Sequence, residues 1–180
     1  MKKFFTILTV FGTLLTTATL TSCEDAEIAR TLEGTWSGDM RVRTGYGGRD
    51  YYATHTEITF LRDPGRYSSG NGYWVDYYSD APWDYVANHI DWTVDYGDIK
   101  IYFREDNTSF TIRDYSLNDD RFSGTLWDND NRVTFSLYHI SSPNWNSYDH
   151  WGYSSWSHYY SRGTSSDTSD TEKPVRRIGD

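Results

Sequence analysis

The stretch Ile90-Asp91-Trp92-Thr93-Val94-Asp95-Tyr96-Gly97-Asp98-Ile99-Lys100-Ile101-Tyr102-Phe103 decides how this chain is built. Ile90, Trp92 and Val94 alternate with Asp91, Thr93 and Asp95. After Gly97-Asp98, Ile99, Ile101 and Phe103 alternate with Lys100 and Tyr102. Successive side chains of a strand point to opposite faces, so this alternation puts one face on a core and the other in water. Two such runs joined by a short glycine-containing turn make a hairpin.

The period of two continues in both directions. Upstream, Trp36, Met40 and Val42 form a first run, with a turn at Tyr46-Gly47-Gly48-Arg49-Asp50; a second spans Tyr52 to Phe60. Asp63-Pro64-Gly65 is a turn because proline presets φ and glycine accepts positive φ. A third run, Arg66 to Tyr78, reads as bent or bulged at Gly70-Asn71-Gly72. Downstream, Phe110 with Ile112, then Phe122 to Trp127, then Val133, Phe135 and Leu137 complete the pattern. Ser79-Asp80-Ala81-Pro82 supplies a cap and a proline near a first turn, and Trp83, Val86 and Ala87 follow at helical spacing. The pattern therefore predicts an all-β fold, an eight-stranded antiparallel barrel with one short helix between strands 3 and 4. A sandwich is the alternative; closure has the advantage of leaving no sheet edge. A membrane-spanning barrel is disfavoured, because its strands need about 9–11 residues and several runs here are shorter, with charged polar faces.

The N-terminus has another character. Met1-Lys2-Lys3 precedes an apolar run from Phe4 to Leu20, diluted by threonines, and Leu20-Thr21-Ser22-Cys23 closes it. A basic start, an apolar centre and small residues before a cut are the parts of a secretory signal. The tetrapeptide resembles the bacterial lipoprotein signal, which implies cleavage before Cys23 and acylation of its thiol (palmitate or a similar chain). The expected organisation is a signal peptide over 1–22, an acidic tether over 23–31, a barrel with an aromatic C-terminal segment over 32–160, and a disordered tail over 161–180. The expected location is the outer membrane, lipid-anchored, on its periplasmic or cell-surface face. Cys23 is the only cysteine, so no internal disulfide can support the fold. The formal charge of −9 falls to −11 once Lys2 and Lys3 are removed, which argues against nucleic acid as a partner.

Leu32-Glu33-Gly34-Thr35-Trp36 resembles the Gly-x-Trp signature of lipocalin and avidin barrels, and the resemblance extends over about residues 32 to 140. The family implied is the lipocalin-like domain of small bacterial envelope lipoproteins. It implies that Gly34 and Trp36 plug one barrel end, with Arg121 or Arg132 as the arginine partner of the tryptophan.

Nothing in the sequence supports catalysis. No Gly-x-Ser-x-Gly elbow or phosphate loop is present, and the chain is read as a non-enzyme without a cofactor. Asp128-x-Asp130 and the trio Asp76, Asp80 and Asp84 lack the glycine and distal Glu of a calcium loop. His139, His150 and His158 lack zinc spacing, so no metal is expected. The aromatic content of 18% is the unusual feature. Rings in the strands belong to the core, whereas Trp145, Tyr148, Trp151, Tyr153 and Trp156 keep no strict period among polar neighbours. They either pack across a barrel end or face a partner. Two functions follow. One is a noncatalytic envelope lipoprotein binding a small apolar ligand at its mouth, with Trp83 on the lid helix. The other binds a glycan or a protein, for example as an inhibitor of a secreted hydrolase, through the aromatic C-terminal residues.

Overall fold

A computed structural model describes residues 23–129, 131–141, 159–161 and 175–179. Eight strands close into an antiparallel barrel: β1 (Gly34–Asp39), β4 (His55–Arg62), β5 (Ser69–Tyr77), β6 (Trp83–Asp95), β7 (Asp98–Phe103), β8 (Thr108–Leu117), β9 (Arg121–Asp128) and β10 (Asn131–Ser141). The ring runs β1-β4-β5-β6-β7-β8-β9-β10 and closes through the β1–β10 pairing. The opening hairpin is β6–β7, whose two-residue turn is Tyr96-Gly97, both at positive φ (52° and 80°). That conformation matches the twist of the flanking strands. Each of the eight expected runs overlaps one barrel strand, although Met40 and Val42 of the first and Tyr52 of the second lie outside it.

Alternation fills the barrel with large side chains. Trp36, Phe60, Trp74, Ile90, Trp92, Phe103, Phe110, Phe122 and Leu137 are all buried and belong to one apolar cluster. Rings from strands that are not neighbours meet across the lumen. Trp74 of β5 lies 6.1 Å from Phe110 of β8, and Phe60 of β4 lies 5.6 Å from Trp92 of β6. An eight-stranded barrel is just wide enough to be filled in this way.

Gly70 and Gly72 do not make a bulge. Pairing runs unbroken from Arg62↔Gly70 to His55↔Tyr77. A Cβ at Gly72 would stand 1.8 Å from the Thr59 carbonyl oxygen, so glycine is what lets β5 lie so close to β4.

The only helix among the described residues, α1, spans 23–32, ahead of β1 rather than between the third and fourth barrel strands. The stretch read as an acidic tether is this helix. Ile28, Ala29 and Leu32 share a face at i, i+3 and i+4 spacing, and Ala29 and Leu32 are fully buried under the barrel. Glu24, Asp25 and Glu27 sit at the positive end of its dipole. The Asp25 carboxylate also accepts hydrogen bonds from the backbone N–H groups of Tyr96 (3.2 Å) and Gly97 (2.9 Å), pinning the helix to the β6–β7 turn. In place of the expected helix, β6 starts at Trp83 and pairs with β5 as far as Tyr77↔Tyr85. Helical spacing is a weak preference, and sheet pairing overrides it here. Pro82 sits just before the strand, where no ladder donor is lost.

The opposite end of the barrel carries a second, three-stranded sheet. β2 (Val42–Tyr46) and β3 (Arg49–Tyr52) form a hairpin inserted between β1 and β4, and β12 (Val175–Ile178) adds to the free edge of β2. Val42 was read as continuing β1, but Arg41 adopts φ 50° and turns the chain out of the barrel. The span read as a disordered tail thus contributes a strand, ordered by burying Arg176 and Ile178. A short strand, β11 (Tyr159–Ser161), pairs with β6 near Trp83 and Val86.

Candidate functional site

The helix end is closed. Trp36 donates its indole N–H to the carbonyl of Leu32 at 2.8 Å, satisfying one of the orphan acceptors at the C-terminus of α1. Its ring packs against Phe122 (5.8 Å) and His139 (4.9 Å). Gly34 stands at φ 141°, and a Cβ there would meet His139 Nε2 at 2.3 Å. Gly34 and Trp36 therefore plug this end, but neither expected arginine joins them. Arg121 lies over Tyr138 and Arg132 over Trp127. Both arginines sit on the outward phase of their strands, and the neighbouring Phe122 and Val133 take the inward positions.

The other mouth is closed by polar chemistry. Arg176 of β12 reaches into it, 3% exposed, and donates from Nε to Asp76 Oδ2 and from Nη1 to Asn88 Oδ1, both at 2.6 Å. Asp106 stands 3.7 Å from the same Nη1. The guanidinium also lies over the faces of Phe103 (4.6 Å) and Trp74 (5.7 Å). Asp76 is completely buried, and its other oxygen accepts from Thr56 Oγ1 (2.6 Å) and Trp74 Nε1 (2.8 Å). Burial pulls the Arg176 pKa down, but the charge and hydrogen bond of Asp76 together with Tyr78 and Asp106 outweigh it, and the net direction is upward. Beside the plug, Glu105 accepts from the backbone N–H of His89 (2.9 Å) and meets His89 Nδ1 at 2.5 Å. Burial raises the Glu105 pKa, and these hydrogen bonds more than reverse that.

Trp83 is on no lid. It is 5% exposed and packs edge-on against Tyr46 (5.2 Å), Tyr51 (5.4 Å) and Tyr78 (6.1 Å), tying the β2–β3 hairpin to the start of β6. Its role is in packing. Trp145, Tyr148, Trp151, Tyr153 and Trp156 lie outside the described residues. Cys23 is exposed at the first residue of α1.

Open space lies outside the barrel. A groove of about 760 Å³ runs between the three-stranded cap and the rim of β9 and β10, bordered by Tyr52, Trp127, Arg41, Arg132, Asp39 and Asp114. Tyr52 is 61% exposed, so its ring faces solvent. A second groove, about 680 Å³, crosses the outer face of β5 to β7. Three of its lining charges are engaged, Arg104 with Asp91 and Lys100 with Asp95. Sequence reasoning missed the rim groove because its residues come from strands far apart in the chain, from Asp39 to Arg132, and share no motif. Among the described residues, no group of three or more His, Cys, Asp or Glu side chains is placed to hold a metal, and no helix is long and apolar enough to cross a membrane.

No curated protein matches the chain. A family model described as a lipocalin-like domain matches residues 32–124, from the last residue of α1 through the first half of β9, more than half of the chain. With its Gly-x-Trp plug and its closed eight-stranded barrel, this chain belongs to the lipocalin-like family.

Proposed function

We propose that the protein is a noncatalytic lipoprotein of the outer membrane, anchored through acylated Cys23, that binds a glycan on its outer surface rather than an apolar molecule inside its barrel. The observation that carries this reading is the filled interior. Trp74, Phe103 and Phe110 meet within 6.1 Å of one another in the space an apolar ligand would need. The mouth beyond them is occupied by Arg176. Family membership supports the coarser statement, since lipocalin-like domains are typically binding proteins without catalysis. The rim groove suits a sugar chain. Tyr52 offers an exposed ring face to sugar C–H groups, Trp127 with Arg132 over its ring borders the same space, and the Arg41–Asp39 pair with Asp114 adds charged hydrogen-bonding partners for hydroxyls. Its volume falls in the range of ligand sites, about 300–1,000 Å³.

The test pairs two titrations on the chain from residue 23 onward. A fatty-acid-like fluorophore should show no saturable uptake, and an array of envelope glycans should show capture that Trp127→Ala reduces at least about tenfold with an unchanged melting temperature, the equivalent of about 1.4 kcal/mol. One-to-one uptake of the fluorophore with quenching of the interior tryptophans would restore the apolar-ligand reading.

A further inference from the structure

The slot that holds Arg176 is built by residues other than Arg176. Asp76 is oriented by Thr56 and Trp74. The Asn88 amide is held by donating to Asp106 at 3.1 Å and Glu105 at 3.4 Å, which leaves its carbonyl aimed at the arginine. Phe103 and Trp74 provide the two ring faces. A planar cation fits this cradle of buried carboxylate, amide carbonyl and aromatic faces, and the forked geometry favours guanidinium over ammonium. The occupant arrives on a strand that pairs with β2 alone, from Val175↔Gly45 to Ile178↔Val42. Only alternate side chains enter. Arg176 and Ile178 are buried, while Val175 is 50% exposed and the Arg177 side chain 54% exposed. Edge pairing for affinity with alternate side chains for specificity is how sheets accept peptides.

We propose that the capped mouth is a strand-accepting site for an extended segment of pattern arginine-x-aliphatic, occupied in the free protein by residues 175–178, and that a partner protein's peptide of that pattern displaces them. It does not depend on a glycan, and its slot is distinct from the rim groove, which meets this strand at its end, at Gly179. The charges at the slot support it. Asp76 and Asp106 flank it and favour a basic side chain there, whereas Asp50, 3.6 Å from Arg177, is shared with Arg43 opposite, so the outward position carries less of the selectivity.

The experiment uses the complete chain from residue 23 and a fluorescent peptide of residues 173–180, followed by polarisation. Arg176→Ala in the protein weakens the internal strand, so this variant should bind the peptide at least about tenfold tighter than the unmodified chain. An Arg176→Ala peptide should lose about 100-fold, as expected for half of a buried pair, and an Arg177→Ala peptide less than about threefold. Adding Asp76→Asn to the protein should abolish capture. Should the Arg176→Ala chain not fold, Arg176→Lys keeps the cation without the fork and should capture the peptide in the same order of preference. Absence of capture by a folded variant overturns the proposal, as do equal losses from the two peptide substitutions. Dimers of the unmodified chain that the peptide dissolves would make a second copy, not a partner, the occupant and overturn it too.

Discussion

Two tyrosine hydroxyls hold their protons well beyond the ordinary range. Tyr77 is pushed up to about 12 by burial first and then by Glu57, whose carboxylate accepts its hydrogen bond at 3.3 Å. Tyr115 is also pushed up to about 12, by burial and then by Asp25, Asp98 and Glu24, while its hydroxyl donates to the Gly97 carbonyl at 2.7 Å. Both groups prefer the neutral form when folded. Their contribution to stability is therefore complete below the unfolded value of 10.0 and is lost as pH rises toward 12. An absorbance titration at alkaline pH should find Tyr77 and Tyr115 ionising late, near 12, with the melting temperature falling as pH rises past 10.0 toward 12. A Tyr115→Phe variant that kept two late tyrosines would contradict the assignment.

At the scale of elements, the legible parts are those whose period is set by burial on one side. The barrel strands show it over most of their length, because the filled lumen takes apolar residues at alternate positions, and it breaks near the polar mouth at Thr56, Asp76 and Asn88. The elements that pack elsewhere escaped. The spacing of Ile28, Ala29 and Leu32 is a helix signal, yet it is short and embedded in acidic residues that also suit a tether. β12 carries only one aliphatic residue on its buried phase, and its other inward residue is Arg176, which no hydrophobic pattern can flag. The site followed the same logic. The Gly-x-Trp plug is local and was readable, whereas the slot joins Asp76 to a residue one hundred positions away. The helix makes a direct prediction. Leu32→Ala removes a fully buried side chain where α1 meets the barrel, and should cost about 2–5 kcal/mol in a denaturant titration. A loss under about 1 kcal/mol, no more than a surface change, would mean that α1 is not part of the cooperative fold.

For the whole molecule, both barrel ends are shut by different means. One has a helix and an indole, the other a sheet and an ion pair, so the protein presents its outer surface and rim to the surroundings. Without Lys2 and Lys3 the balance of −9 becomes −11, so net charge does not draw the domain to an anionic bilayer, and in the proposed form the acyl chains hold it there. Cys23→Ala should block processing, so that mature-sized protein is lost from the membrane fraction, with the melting profile of the domain unchanged, because that side chain is exposed. A variant that is cut normally and stays with the membrane would remove the anchor assignment.

The helical conformation of Cys23 has a mechanical consequence for that proposed form. A flexible leash would let an anchored domain tumble and sample every tilt. Here the acylated residue lies within a helix whose Asp25 carboxylate is clamped to the β6–β7 turn. The mooring point is thus rigidly attached to one pole of the barrel, with almost no slack. The strands then act as a mast, about 3.3 Å tall per residue along their axis, and their far pole carries the rim groove and the Arg176 slot. Both are held upright and away from the headgroups, toward whatever approaches the membrane from outside it.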